Sequence, residues 1–147
     1  IPNVGDGLIR KLYSTYLSYI DSNNFSYRIE EHKDARGSFV EMLKTKSAGQ
    51  FSFFTANAGV KRGGHYHNTK NEKFLVIKGK ARFKFRNIKN EECREILVDD
   101  SNLTIVESCP GWTHDIKNIG NDKMYVILWA NEQFDKNNPD TIYSKTF

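Results

Sequence analysis

Three of the chain's four histidines, His65, His67 and His114, stand with Glu72 in a pattern that suits a divalent metal ion. Residues i and i+2 of a strand share a face, so His65 and His67 aim the same way. The turn-forming run Asn68-Thr69-Lys70-Asn71 would reverse the chain, and Glu72 would then add a carboxylate oxygen from the next antiparallel strand. Farther on, Pro110-Gly111-Trp112-Thr113-His114, followed by Asn118, supplies a third imidazole after a sharp turn. Imidazole and carboxylate ligands suit Zn²⁺ and are compatible with Fe, Ni and Mn. A bound ion with open positions could act as a Lewis acid. Any proton transfer beside it would need an acid and a base, for which Lys73, Glu41 and Tyr125 are candidates. Alternation from an inward Glu72 turns Lys73 outward, which counts against it.

The elements that must position these residues are mostly strands. Residues 6 to 20 form the one convincing helix, with Leu8, Leu12, Tyr16 and Tyr19 on one apolar face. Short segments with β-branched or aromatic residues follow at 25–31, 39–43, 51–56, 74–77, 81–86, 94–98, 103–106 and 124–129, separated by Gly, Asn, Asp and Lys turns. Many short strands with little helix predict an all-β antiparallel jelly roll. The polar tail after Trp129 reads as irregular chain over one mouth of it. At 147 residues the chain suits one domain with a proper core.

Composition narrows the function classes. The net charge of +4 is spread among acids, without the basic stripe that nucleic acid would need. No apolar stretch is long enough to span a bilayer. Two cysteines, Cys93 and Cys109, make no disulfide framework, so reduced thiols in the cytoplasm are the expectation. The start at Ile1 carries neither an initiator methionine nor a signal peptide and reads as a fragment or trimmed product.

The spacing Gly59-x5-His65-x-His67-x4-Glu72-x6-Gly79 resembles the first cupin motif. Pro110-Gly111-x2-His114-x3-Asn118 is similar to the second, with proline and glycine adjacent rather than separated. The resemblance implies a cupin jelly-roll barrel, a double-stranded β-helix, with one N-terminal helix. Upstream, Asp34-Ala35-Arg36-Gly37-Ser38-Phe39-Val40-Glu41, then Gln50, then Arg62-Gly63-Gly64-His65 resemble cupin epimerases of dTDP-4-keto-6-deoxyhexoses. That likeness implies that Arg36 and Glu41 help hold a nucleotide diphosphate and that His65 is the base. Arg36, Arg62 and Gln50 are therefore the substrate-binding candidates, and a planar guanidinium does suit phosphate oxygens.

A narrower likeness runs along the whole chain. The segments 12–19, 36–39, 67–76 and 129–132, with Phe134-Asp135 and Pro139-Asp140-Thr141, are similar to the C-terminal domain of capsule and O-antigen enzymes of the CapF (WbjC) type. This implies a dimeric, two-domain bacterial protein whose N-terminal short-chain reductase uses NADPH and whose C-terminal cupin binds zinc. The substrate it implies is a UDP-2-acetamido-4-keto-2,6-dideoxyhexose on the way to N-acetyl-L-fucosamine, inverted at C3 by the cupin and then reduced at C4. Residues 1–24 would be the helix and linker from the reductase, and 25–147 the cupin. No glycine-rich dinucleotide fingerprint occurs; Gly5-Asp6-Gly7 lacks a third glycine and a preceding strand. Alternatives from other classes are a metal-free epimerase or ketoisomerase using His65 and His67 as acid and base, a non-haem iron or nickel dioxygenase, and a non-catalytic, metal-stapled dimerisation module.

Overall fold

The computed structural model describes residues 2–147; Ile1, the first residue of the expected linker segment, lies outside them. A helix, α1 (Gly7–Ser18), and a short 3-10 turn at Ser22–Asn24 precede eleven strands among the described residues. These are β1 (Glu31–Asp34), β2 (Gly37–Lys44), β3 (Gln50–Ala56), β4 (Lys61–Tyr66), β5 (Glu72–Lys78), β6 (Lys80–Asn87), β7 (Cys93–Asp99), β8 (Ile105–Ser108), β9 (Trp112–Asn118), β10 (Met124–Ala130) and β11 (Ile142–Tyr143). One sheet runs β1-β2-β3-β10-β5-β8 and the other β11-β4-β9-β6-β7, with every pairing antiparallel. The jelly roll is therefore a sandwich; the two sheets do not close into a hydrogen-bonded barrel.

Alternation along the central strands builds the core. Phe54, Phe74, Val76, Ala81, Phe83, Phe85, Val126 and Leu128 face inward from β3, β5, β6 and β10, joined by Val106, Ile116 and Met124. Burying each large apolar side chain contributes about 1.5–3 kcal/mol. Two departures from the expected strands have physical causes. The alternating Phe25, Tyr27 and Ile29 form no strand, because no neighbour pairs with them and all three stay exposed. Conversely, β9 was hidden in the sequence, since Thr113, His114, Asp115 and Ile116 are all buried and no period of two shows. α1 has the predicted apolar face, yet none of its residues is buried.

Candidate metal centre

Neighbouring strands of the two sheets carry the four metal-ligand candidates. His65 sits on β4 opposite His114 on β9, Glu72 opens β5, and His67 lies one residue beyond β4. β4 reaches β9 through a register shift at Gly63, whose φ is +95°. A Cβ at Gly63 would lie 2.7 Å from the His114 carbonyl oxygen, so only glycine permits this approach. On the other side, Cys109-Pro110-Gly111-Trp112 turns with Gly111 at φ +78°, as suits glycine after proline in a type II turn. The Gly111 N–H donates to the His67 carbonyl at 2.8 Å, which ties the second motif to the first. Asn118 does not enter the site; its amide donates to the Ala56 and Asp122 carbonyls and staples the strand end.

The ligand atoms of His65, His67, Glu72 and His114 all lie within 4.8 Å of one another. Hydrogen bonds fix how two of the rings face. His67 Nδ1 meets the backbone oxygen of Asp140; a carbonyl only accepts, so Nδ1 carries the proton. In the neutral ring Nε2 is then a bare lone pair, and it faces Glu72 Oε2 at 3.3 Å. His114 bonds Ser108 Oγ through Nδ1 at 2.8 Å and also aims Nε2 at Glu72 Oε2, at 3.3 Å. A lone pair on His67 Nε2 repels a carboxylate oxygen unless a proton or a cation lies between them, and His114 Nε2 faces the same oxygen. The residues therefore fit a divalent ion, which would meet three imidazole nitrogens and one carboxylate.

Electrostatics keep the donors in their binding forms. Burial first, then the neighbouring His114 and His67, pull the His65 pKa down to about 4, so its ring is neutral at pH 7. Burial works against the charge on Glu72, but the neighbouring His114, His67 and Lys70 outweigh it and hold the carboxyl below its usual range. Lys70 adds a cation whose Nζ lies 3.7 Å from Glu72 Oε1, with a side chain only 11% exposed.

A cavity of about 420 Å³ opens beside the histidines, lined by Arg36, Glu41, Gln50, Lys70, Phe134 and Thr141 among others. That volume lies within the roughly 300–1,000 Å³ of small-molecule sites. A smaller lobe beyond His65 reaches Arg62 and His114. Of the acid–base candidates, Glu41 lines the cavity and accepts a hydrogen bond from Gln50 at 3.3 Å. Lys73 turns away and pairs with Glu107 on β8. Tyr125 is exposed on β10, with Lys78 Nζ 6.0 Å from its ring. Gln50 is buried and also accepts from the Phe134 N–H at 3.1 Å, which holds the tail over the cavity.

Both arginines are engaged. Arg36 donates Nε to Asp34 at 3.0 Å, and this bond draws the Asp34 pKa to about 2. Arg62 donates to the Thr55 carbonyl at 2.8 Å and lies over the Phe54 ring; burial, then Arg36, lowers its pKa. Sequence reasoning passed over Lys70 and Asp140. A lysine in a polar turn looks solvated, and Asp140 lies far along the chain; its only signal was its place in the Pro139-Asp140-Thr141 likeness.

Residues 32–142 match the family described as the polysaccharide biosynthesis C-terminal domain. The chain is 63% identical over 138 residues to a Pseudomonas aeruginosa protein named UDP-2-acetamido-2,6-β-L-arabino-hexul-4-ose reductase, covering 94% of this chain and 37% of that one. It is 42% identical to the solved capsular polysaccharide assembling protein CapF of Staphylococcus aureus, with a TM-score of 0.92 over 99% of this chain and 40% of that one. The Drosophila melanogaster CENP-C cupin domain shares the fold at 14% identity, with a TM-score of 0.61 over 80% of this chain and 78% of that domain. The chain thus spans about two fifths of these first two relatives. Among the described residues no helix is long and apolar enough to cross a membrane.

Proposed function

The chain belongs to the polysaccharide biosynthesis C-terminal domain family, and on that premise we propose that it is the metal-dependent C3-epimerase part of a bifunctional enzyme. Its substrate is a UDP-2-acetamido-2,6-dideoxy-4-hexulose, on the route to N-acetyl-L-fucosamine for capsule or O-antigen. The other part is an NADPH-dependent reductase acting at C4, in a cytoplasmic homodimer. The observation that carries this reading is the convergence of His67 and His114 Nε2 on Glu72 Oε2 at the wall of a cavity that also presents Glu41. The P. aeruginosa relative is named for a substrate of this kind, a 4-ketone of a UDP-amino sugar.

The chemistry of a 4-ketone fits the site. The C3 proton is acidic because its removal gives an enolate spread over C3, C4 and O4. A bound Zn²⁺ would supply Lewis acidity toward that oxygen. Glu41, which with Glu132 is one of two cavity carboxylates outside the ligand set, takes the C3 proton in this reading, and the electron pair of the broken C3–H bond forms the C3–C4 double bond. A proton returned to the opposite face of C3 restores the ketone, so no oxidant or reductant is consumed. Gln50 holds Glu41 in place, and Lys70 adds positive charge beside Glu72. Arg36 lines the cavity and its smaller lobe and Arg62 the lobe alone, and in this reading they bind the diphosphate.

Proton exchange at C3 in D₂O, followed by NMR, tests this. Deuterium should enter with metal bound, stop after chelation and resume on readdition of zinc. Glu41→Gln should slow exchange about 10²–10⁴-fold while metal content stays the same. No exchange in a folded, zinc-loaded chain would overturn the assignment of epimerisation to this domain.

A further inference from the structure

The C-terminal segment does more than cover the cavity. β11 adds to β4 beside the histidines, pairing Tyr143 with His65 and Ile142 with Tyr66, and the Ser144 N–H donates to the Gly64 carbonyl at 3.0 Å. Just before β11, Asp140 turns both its polar groups toward the loop that follows β4. Its carboxylate accepts from the backbone N–H groups of Asn68 at 2.9 Å, Thr69 at 2.8 Å and Lys70 at 3.0 Å. It also accepts from the Asn68 amide and the Thr69 hydroxyl, each at 3.1 Å. Its own backbone oxygen takes the Nδ1 proton of His67.

This is an unusual concentration of bonds for one residue, and all of them act on the segment from His67 to Lys70. Without Asp140, three successive N–H groups in the connection between β4 and β5 lose their acceptor. The His67 ring keeps its main-chain partner oxygen at position 140 but loses the anchor that holds that oxygen against Nδ1. The same loop carries Lys70, whose cation sits against Glu72. Thr141, the next residue, lines the cavity.

We propose that Asp140 is a positioning residue of the metal centre: its carboxylate pins the 68–70 loop, which holds its carbonyl against His67 and so presents Nε2 to the ion. The inference rests on the metal reading above, and concerns residues that ligate nothing themselves. Partners that orient a ligating histidine typically shift metal affinity about 10–100-fold when removed.

The test uses the chain loaded with zinc, measured by competition with a chromophoric chelator, and with cobalt(II), whose visible bands report geometry around the ion. Asp140→Ala should weaken zinc binding about 10–100-fold and change the cobalt spectrum. The two-bond ¹H–¹⁵N spectrum of the metal-free protein should show His67 moving away from a single Nδ1–H tautomer. Asp140→Asn keeps one acceptor oxygen without the charge and should give a smaller loss in the same direction; it carries the test should the alanine variant fail to fold. An Asp140→Ala protein with unchanged zinc affinity, cobalt spectrum and His67 tautomer, whatever its melting temperature, would reduce Asp140 to a structural cap and overturn the inference. A wild-type chain that takes up neither zinc nor cobalt overturns the metal reading itself, and this inference with it. The two failures are therefore distinct.

Discussion

His65 is the histidine on which acidity should act first. Its pKa near 4 in the folded chain, against an ordinary 6.5, means that the unfolded chain binds the extra proton more readily. Stability of the metal-free protein should therefore fall as pH drops from about 6.5 toward 4. Glu72 works in the same direction lower down, since its depressed carboxyl contributes stability that is lost as pH falls below the ordinary 4.5. Thermal melts of chelated protein across this range check the sign, and His65→Asn should remove the part lost above pH 4.5. A metal-free protein equally stable at pH 7 and pH 5 would contradict the burial of a neutral ring. The four ligand candidates were legible in the sequence because hairpin spacing is local: the i, i+2 rule and one turn bring His65, His67 and Glu72 together. Asp140 was not, because its role depends on a tail that arrives from 73 positions away, and Lys70 was not, because a lysine in a polar turn reads as solvated. Alternation did read Lys73 correctly as outward, and it now pairs with Glu107.

At the scale of the element, the seam between β4 and β9 decides the site. Gly63 and Gly59 both hold positive φ, at +95° and +75°, but only Gly63 faces backbone closer than 3 Å. Gly59→Ala should cost only the conformational strain, about 1–2 kcal/mol. Gly63→Ala adds displacement of β4 from β9 and should cost more, with loss of metal affinity because His65 pairs with His114 across that seam. Urea unfolding of the two variants makes the comparison; equal losses would show that β4 can shift freely. Strands with one wet face, such as β5 and β10, announced themselves by alternation. β9 did not, because its run of buried residues includes Thr113, His114, Asp115 and Asn118, and Thr113 and Asn118 find partners remote in sequence, at Ser144 and Ala56. The strand expected at 25–31 had the right period but lacked a neighbour, which no local pattern can supply.

At the scale of the whole molecule, the leading helix stands outside the core of the sandwich. α1 buries no residue, and Leu8, Leu12, Tyr16 and Tyr19 all stay exposed. Removing residues 1–24 should therefore leave the melting temperature of the sandwich within about 2–4 °C, the shift that ~1 kcal/mol produces in a domain of this size; calorimetry gives the answer. A larger fall would mean that α1 supports the cupin fold directly. The jelly roll itself was legible as a class, though its two sheets stay open at their edges rather than closing into a barrel. The strap formed by Asp140 and β11 also sets an order of events during synthesis. Chains grow from the N-terminus, so β4 and β5 leave the ribosome long before Asp140 does. The hairpin can form early, but the carbonyl that meets His67 Nδ1 is made 73 residues later. A nascent chain stalled before Asp140 would hold these histidines without that bond, so the ring arrangement is completed only after the β4–β5 hairpin.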